Sequence, residues 1–326
     1  MGGVGFVPEE RESLISAAIL APSMHNTQPW RFRFRGWTVE VHRDPTRELP
    51  VEDPERRMSL IGAGAALFNL RVAVAHLGYR ASVDLRVDPS STLVAVLRAD
   101  AHGAGRRLAY LHPYLAVRHT NRQPFTERRL SYSTRALLST AASAEGGNLS
   151  WIDDPSRRWW LLTLVADANL ADATDPARRA ERAQWVGGDR ARDGIPSVSL
   201  GPRPTRPSTP IRDLGARRED RRRLRGSFED DSELAMLWTR RDTPKDWVAA
   251  GQALEHVLLA ATVHGVATSL LTQAVEHRDL RWLQRDPLGP WTEPQALIRF
   301  GYGPAVPPTP RRAPADFVDS PERGAT

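Results

Sequence analysis

The feature of this sequence that most constrains its fold is a helical segment that occurs twice. Residues 64–78 and 251–265 align at a constant offset and share five residues. The shared positions are Gly64, Ala66, Leu67, Ala73 and Gly78 in the first copy and Gly251, Ala253, Leu254, Ala260 and Gly265 in the second. A weaker sequence similarity relates residues 14–18 to residues 137–141. Alanine-rich helices can resemble each other without common origin, but the repeat favours an internal duplication.

A duplication would place two similar halves face to face within one chain, as other proteins do by forming a two-fold dimer. We expect the first half over residues 1–115 and the second over 116–326, packed as one compact unit. The halves have diverged, because the polar residues before Trp30 have no counterpart before Trp151. We therefore expect one functional site per chain and a monomer that acts as a pseudo-dimer.

Hydrophobic periodicity and the placement of glycine and proline predict the helices and strands. Helices are expected at 14–21, 58–77, 108–117, 134–144, 157–170 and 247–264. Strands are expected as a pair within 30–41 around Gly36, and at 81–87, 92–97, 148–152 and 296–302. From about 171 to 246 the chain is dense in Arg, Asp and Pro, and a segment so long and irregular is typical of a disordered insertion or of a cover over a site. Apolar residues such as Trp185, Leu214 and Trp238 favour the ordered cover.

The charge balance excludes some classes of function. The formal net charge is +6, yet Lys245 is the only lysine, and the arginines alternate with acids, as in residues 217–221. This pattern differs from the continuous basic patch of a nucleic-acid-binding protein, and no nucleic-acid-binding module is present. The absence of cysteine excludes disulfides and thiol catalysis. With no signal pattern at the start and no run of 18 apolar residues, we expect a cytoplasmic protein that does not contact a membrane.

Two polar motifs are candidates for a binding site. Residues 118–122, Arg-His-Thr-Asn-Arg, carry two guanidinium groups four residues apart with a hydroxyl midway. At the first turn of a helix, such residues could bind a phosphate, although ordinary solvated arginines are an alternative. The other motif is residues 21–30, Ala-Pro-Ser-Met-His-Asn-Thr-Gln-Pro-Trp, which precedes a predicted strand.

These motifs resemble the nitroreductase superfamily, and their order along the chain resembles its Acg family of actinobacterial nitroreductase-like proteins. Residues 21–30 are similar to the flavin-contacting signature, and 118–122 to the phosphate motif, with Thr120 in place of Ser. The resemblance also covers 192–196, 247–265 and 300–312, and so spans nearly the whole chain. It implies an α+β fold with an antiparallel sheet flanked by helices, FMN bound without a covalent bond between the two halves, and an insertion able to close over the flavin.

The resemblance also implies the roles of individual residues. Arg118, Thr120 and Arg122, with the C-terminal pair Arg311 and Arg312, would hold the FMN phosphate. The polar edge or ribityl chain of the flavin would be contacted by Asn26, Ser23 and Gln28. Backbone groups near the reactive flavin nitrogen would come from Thr272 and Gln273, although the usual Glu-Gly pair is absent there.

The resemblance leaves two functions open. The first is an oxidoreductase in which FMN takes hydride from NAD(P)H and passes electrons to a nitroaromatic, a quinone or a similar small acceptor. The second is storage or sequestration of FMN beneath the cover with little turnover, and a polyanion-binding protein is a third, weaker alternative. Because the flavin carries the redox chemistry, no catalytic side chain and no metal are expected, and His25 and His119 are interpreted as structural.

Overall fold

The two parts of the chain build the same arrangement of strands around one long helix. The computed structural model describes residues 5–100, 106–205, 211–212, 214, 223–286 and 289–318, so residues 217–221 lie outside the described residues. The first part contains, in chain order, α1 (Pro8–Ala18), β1 (Trp30–Arg35), β2 (Thr38–Arg43), α2 (Arg57–His76), β3 (Arg80–Leu85) and β4 (Leu93–Asp100). The second contains α3 (Tyr132–Ala144), β5 (Asn148–Trp151), α4 (Pro155–Thr174), α5 (Pro176–Ala183), β6 (Arg203–Pro204), β7 (Arg225–Gly226), β8 (Glu233–Thr239), α6 (Pro244–Val263), β9 (Ala267–Leu270), α7 (Gln273–Glu276), α8 (Arg278–Leu283) and β10 (Glu293–Gly301).

Each part forms a four-stranded antiparallel sheet, which confirms the predicted α+β class with flanking helices. The strand order is β1-β2-β4-β3 in the first sheet and β5-β8-β10-β9 in the second. In chain order these are the same topology, and in both parts the long central helix follows the second strand of its sheet. This correspondence supports the proposed duplication.

The central helices α2 and α6 cross at the glycines of the sequence repeat. A Cβ placed on Gly251 would lie 2.9 Å from the Cα of Gly64, and one placed on Gly64 would lie 3.1 Å from the Cα of Gly251. Each such Cβ would also clash with a carbonyl oxygen of the other helix, that of Val248 or of Ile61. These contacts are reciprocal at the offset of the repeat, as in a two-fold interface, and they explain why both positions carry glycine.

Local sequence explains the shape of the elements. In β1 the apolar Trp30 and Phe32 are fully buried while the intervening arginines are more exposed, as expected for a strand with one face on the core. Gly36, with φ of 57°, begins the two-residue connection to β2. At the start of α6, Thr243 and Asp246 form a reciprocal capping box, and Pro244 occupies the first turn.

The bounds of the predicted cover need correction. The irregular segment was expected to continue to about residue 246, but Glu233–Thr239 is β8, a fully buried inner strand of the second sheet. Its alternating side chains face the two core clusters on either side of the sheet, so it lacks the polar–apolar pattern of a half-exposed strand. The segment inserted between β5 and β8 therefore runs from 152 to 232 and begins with α4 and α5. We call it the insertion.

Two segments outside the sheets also pair with single strands of them. After the first sheet, the chain at Thr120 pairs with Thr268 of β9, and at the other end Val318 pairs with Phe32 of β1. One continuous hydrophobic core includes residues of α1, α2, α6 and both sheets. Helix α2 is long and apolar enough to cross a membrane, but 94% of that window is buried inside the protein, as expected for the central helix of a domain.

The glycine crossing generates a stability prediction. We expect Gly251→Ala to lower the free energy of unfolding by about 2 kcal/mol, because the methyl group must push the helices apart. Gly62→Ala on α2 is the matched control, since its added Cβ would meet its nearest neighbours at an ordinary 3.5 Å. Urea denaturation followed by circular dichroism measures both. Equal midpoints for the two variants would contradict the close approach.

Candidate functional site

A cleft lies at the seam where both halves and the insertion meet. Its volume is about 110 Å³. The first half contributes residues of α2 and the turn at Met24–Asn26, the second half contributes Leu254, Leu270 and Thr272, and the insertion contributes Ile195, Val198 and Ser199. We call it the seam cavity. Its mixture of an apolar wall and a few polar groups is typical of a cofactor site.

Segment 118–122 lines the seam cavity, but not as the start of a helix. It is extended, and Thr120 forms a parallel bridge to Thr268 beside the second sheet. The expectation of a helical first turn is therefore wrong, because the segment pairs with a strand edge instead. Arg118, Thr120 and Arg122 all line the cavity, together with His119 and Gln123.

At one end of the cavity two arginines meet beside a buried carboxyl group. Arg118 donates from Nη2 to the carbonyl of Leu20 (2.8 Å), and Arg311 donates to the same oxygen (3.1 Å), just after the C-terminus of α1. The Nε of Arg118 also lies 3.2 Å from Oε1 of Glu255, which is fully buried in α6. Burial raises the pKa of Glu255 to about 7, although the charge of Arg118 opposes that shift. The carboxyl group can therefore hold a proton near neutral pH.

At the other end Arg122 faces arginines of the insertion. Its Nη1 donates to the carbonyl of Ser199 (3.2 Å), and burial, followed by the charges of Arg212 and Arg223, lowers its pKa to about 10. Arg212 is held by a bidentate pair with Glu276 at 2.5 and 2.6 Å. Within the described residues, neither Arg122 nor Arg311 has a carboxylate within 4 Å, so the seam cavity carries positive charge that the protein does not neutralise.

The turn that carries Ser23 and Asn26 has an unusual backbone. His25, Asn26 and Gln28 all have φ between 50° and 56°, a left-handed conformation that costs on the order of 1–3 kcal/mol for each residue other than glycine. The amide of Asn26 donates to the carbonyls of Gly194 and Pro310, both at 2.9 Å, and Ser23 Oγ accepts from the backbone N–H of Gln28. Ser23 and Asn26 thus line the seam cavity together with Arg118, as the resemblance requires.

Three of the predicted site residues do not line the cavity. Gln28 is fully buried and donates to the carbonyls of Asn26 and Arg192. Arg312 donates to the carbonyl of Asp316 and lies over the ring of Phe317 at 4.5 Å. Gln273 donates to Asn169 at 3.3 Å. These side chains are engaged in packing around the cavity, so the structure places them behind the site.

Other residues of the cavity were missed by sequence reasoning. His25 and His119, which were interpreted as structural, both line it, as do Gln123, Gln295 and Arg212. Burial, and then the charges of Arg118 and Arg311, lower the pKa of His119 to about 4, so this imidazole is neutral near neutral pH. Thr272 does line the cavity, with its hydroxyl 2.6 Å from Glu276.

Comparison with known proteins establishes the family. No protein-family model matches the chain. The Mycobacterium tuberculosis protein named "Putative NAD(P)H nitroreductase acg" is 32% identical over 320 residues, which cover 94% of this chain and 94% of that protein. This chain belongs to the Acg family of nitroreductase-like proteins. Another M. tuberculosis relative, named an uncharacterized protein, is 30% identical over 333 residues and covers 96% of this chain and 94% of its own length.

Solved structures show weaker likeness to this Acg-family chain. A nitroreductase with bound FMN from Desulfitobacterium hafniense is 14% identical, covers 65% of this chain and 98% of its own, and has a TM-score of 0.38. Another similar structure, from Anabaena variabilis, covers 92% of this chain and 74% of its own at 10% identity, with a TM-score of 0.43. At these scores the likeness carries no weight for the details of the fold or for the site.

In this Acg-family chain, buried charges attach the insertion to both halves. Arg182 of α5 pairs with Glu52 of the first half and lies 2.7 Å from Asp172 of α4, which also contacts His277 at 2.9 Å. Glu52 in turn lies 2.5 Å from Nε2 of His25 at the cavity wall. Removing one partner of such a buried pair strongly destabilises a protein, because the other charge is left buried without a counter-ion. These pairs therefore hold the insertion in place over the cavity.

This charge network generates a pH-dependent prediction. Burial alone would raise the pKa of Glu52, but the hydrogen bond with His25 and the charges of His25 and Arg182 lower it to about 2, from 4.5. A lowered carboxyl pKa contributes stability that is present above about pH 4.5 and is lost as the pH falls towards 2. We expect Glu52→Gln to lower the free energy of unfolding at pH 7 by about 3 kcal/mol and to flatten its decline over that range.

Urea titrations at pH 7, 4 and 3 measure this effect. The control is Glu12→Gln, which removes an exposed carboxylate of α1. If Glu52→Gln and Glu12→Gln showed the same stability at every pH, the buried network would not stabilise the fold.

Proposed function

We propose that this chain binds FMN in the seam cavity and transfers electrons from NAD(P)H, through FMN, to a small nitroaromatic or quinone-type acceptor. The observation that carries the proposal is the convergence of Arg118, Thr120, Arg122 and Arg311 on one cavity in which positive charge is left unneutralised. The name of the M. tuberculosis relative, an NAD(P)H nitroreductase, supports the same class of reaction.

The residues of the cavity fit FMN. A phosphate dianion would neutralise guanidinium groups whose pKa is lowered by burial and by like charge, as for Arg122. Along the apolar wall, Met58, Ile61, Ala65 and Leu254 offer a surface for the flavin ring. When bound, FMN supplies the hydride and electron transfer that no side chain can perform.

The chain's own residues would orient the cofactor and exclude water. Ser23 and Asn26 sit on the rigid left-handed turn beside the cavity, where they can contact the ribityl chain or the polar edge of the flavin. Ile195 and Leu214 of the insertion add apolar surface to the cavity wall and would help to exclude water. Because the seam forms within one polypeptide, we also propose that the protein works as a monomer.

The phosphate assignment is tested at Arg122. We expect Arg122→Gln to weaken FMN binding about 10- to 100-fold, because it removes a buried charge-assisted contact to the phosphate. Arg122 is preferred to Arg118 for this test because Arg118 also neutralises the buried Glu255. Quenching of FMN fluorescence on titration with protein gives the affinity.

The control for this titration is Arg86→Gln, which removes an exposed arginine of the first part that does not line the cavity. Unchanged affinity in Arg122→Gln would remove the phosphate assignment. Riboflavin, which lacks the phosphate, should bind the wild type and Arg122→Gln equally weakly.

Storage of FMN remains the second candidate function, and the insertion favours it. Residues of the insertion form part of the cavity wall, and Arg212 closes onto Glu276 by two hydrogen bonds. A flavin beneath such a cover would be shielded from a nicotinamide.

Anaerobic mixing of the FMN-loaded protein with NADPH or NADH separates the two functions. Turnover predicts that the flavin absorbance near 450 nm bleaches within about seconds, since typical enzymes turn over at about 1–1000 per second. No bleaching with either nicotinamide, in a protein that holds FMN tightly and is bleached by dithionite, would establish storage instead.

A further inference from the structure

A second cavity lies on the far side of the helix crossing from the seam cavity. It has a volume of about 800 Å³, and none of its lining residues lines the seam cavity. Its walls come from the C-terminal halves of α2 and α6, from β3, from α3 and from the turn at Arg106–Tyr114. We call it the distal cavity. Its volume lies in the range of small-molecule sites, which is about 300–1000 Å³.

The floor of the distal cavity is a neutralised polar cluster. Glu145 pairs with Arg71 and lies 3.4 Å from Nδ1 of His256, while Arg71 also donates to Gln252 at 2.9 Å. Burial opposes ionisation of Glu145, but the hydrogen bond with His256 and the charge of Arg71 hold its pKa below the usual value. Glu145 is therefore ionised, and it neutralises Arg71.

The mouth of the distal cavity carries two arginines, with Asp100 directly opposite Arg80 in the register of β3 and β4. Arg80 of β3 and Arg107 line it, and within the described parts of the chain neither has a carboxylate within 4 Å. Glu145 is the only acidic residue among the described residues that line the cavity. The cavity thus has two guanidinium groups in excess over its carboxylate, which favours an anionic ligand.

The remaining wall is apolar and built from small side chains. Ala75, Ala81, Ala141 and Ala260 line it, with Leu137 and Tyr110 at the edge. Leu137 and Tyr110 are 49% and 55% exposed and add apolar surface at the edge of the cavity. Alanines leave space beside the helices for a flat ring, and the arginines at the mouth can hold a charged group attached to that ring.

We propose that the distal cavity is a second binding site, for a small amphipathic anion. The ligand is an aromatic or alicyclic carboxylate or phosphate monoester, with its ring against the alanine wall and its anionic group between Arg80 and Arg107. This site is independent of the FMN proposal, because the two cavities share no residue.

The test is a calorimetric titration of the full chain, incubated with FMN and then freed of unbound FMN, with 2-naphthoate and 2-naphthyl phosphate. These two probes distinguish a carboxylate from a phosphate ester, and 2-naphthalenemethanol is the neutral control. We expect one of the anions to bind with a stoichiometry of one and at least about tenfold more tightly than the alcohol, because charge-assisted hydrogen bonds hold it.

Variants locate the binding. Arg80→Gln with Arg107→Gln should weaken the anion about tenfold or more, whereas Arg98→Gln, an exposed arginine of β4 outside both cavities, should leave it unchanged. Ala144→Trp, at an exposed position of α3 that lines the cavity, should block binding, and Ala136→Trp on the same helix outside the cavity should not.

Two results would overturn the proposal. One is equal affinity of the anions and the alcohol for the wild-type protein, including no binding of any of them. The other is anion binding that persists unchanged in Ala144→Trp, which would place the probe elsewhere. Because Ala144→Trp blocks only the distal cavity, the outcome holds whether or not FMN occupies the seam cavity.

Discussion

The crossing of α2 over α6 is the constraint on which the structure depends. The backbones approach so closely that neither Gly64 nor Gly251 could carry a side chain without displacing the other helix. Since the two helices are almost entirely buried, their crossing fixes how the two sheets face each other. It also divides the space between the halves, with residues 58–65 of α2 lining the seam cavity and Arg71 and Ala75 lining the distal one.

Electrostatics distinguishes the seam cavity from the rest of the interior. Elsewhere the described buried charges have partners, as Arg299 does in Glu229 at 2.5 and 2.7 Å. Around the seam cavity, by contrast, the positive charges of Arg118, Arg122 and Arg311 outnumber the negative charges of nearby carboxylates. Glu255, whose pKa is raised to about 7, is only partly ionised near neutral pH. Burying cations without counter-ions is unfavourable, and proteins tolerate it where a ligand completes the balance.

The sequence predicted most of the helices and strands, for identifiable reasons. The predicted helices 58–77 and 247–264 lie within one to three residues of α2 and α6, because glycine and capping residues delimit apolar helices. The sequence could not show that Asn26 and Arg118 share one cavity; the structure places both there, with Ser23, Thr120 and Arg122, and segment 118–122 is not helical. Residues 118 and 122 would lie on one face both in an extended strand and in the first turn of a helix. A motif of five residues therefore cannot distinguish these two backbone conformations.

Other features depend on contacts that a linear pattern does not contain. The strand β8 is apolar from Leu234 to Trp238 because both its faces are buried, and it follows a charged segment that concealed it from an analysis of periodicity. Gln28 and Arg312 have the chemistry of ligand-binding residues, but Gln28 bonds to the backbone N–H of Arg312 across the seam. Arg212 lies in a segment rich in arginine, and its place at the cavity depends on its pairing with Glu276, which the sequence does not show.

The insertion joins two neighbouring strands of the second sheet, so both of its ends are anchored to the core. Because β5 and β8 pair directly, the two ends of the insertion lie side by side on the core. Displacing the described part of the insertion from the seam cavity would break the pairs of Arg182 with Glu52 and of Arg212 with Glu276. Local openings of this kind occur over microseconds to seconds. The rate at which a molecule enters the cavity would then follow the opening rate of the insertion, whatever the affinity of that molecule.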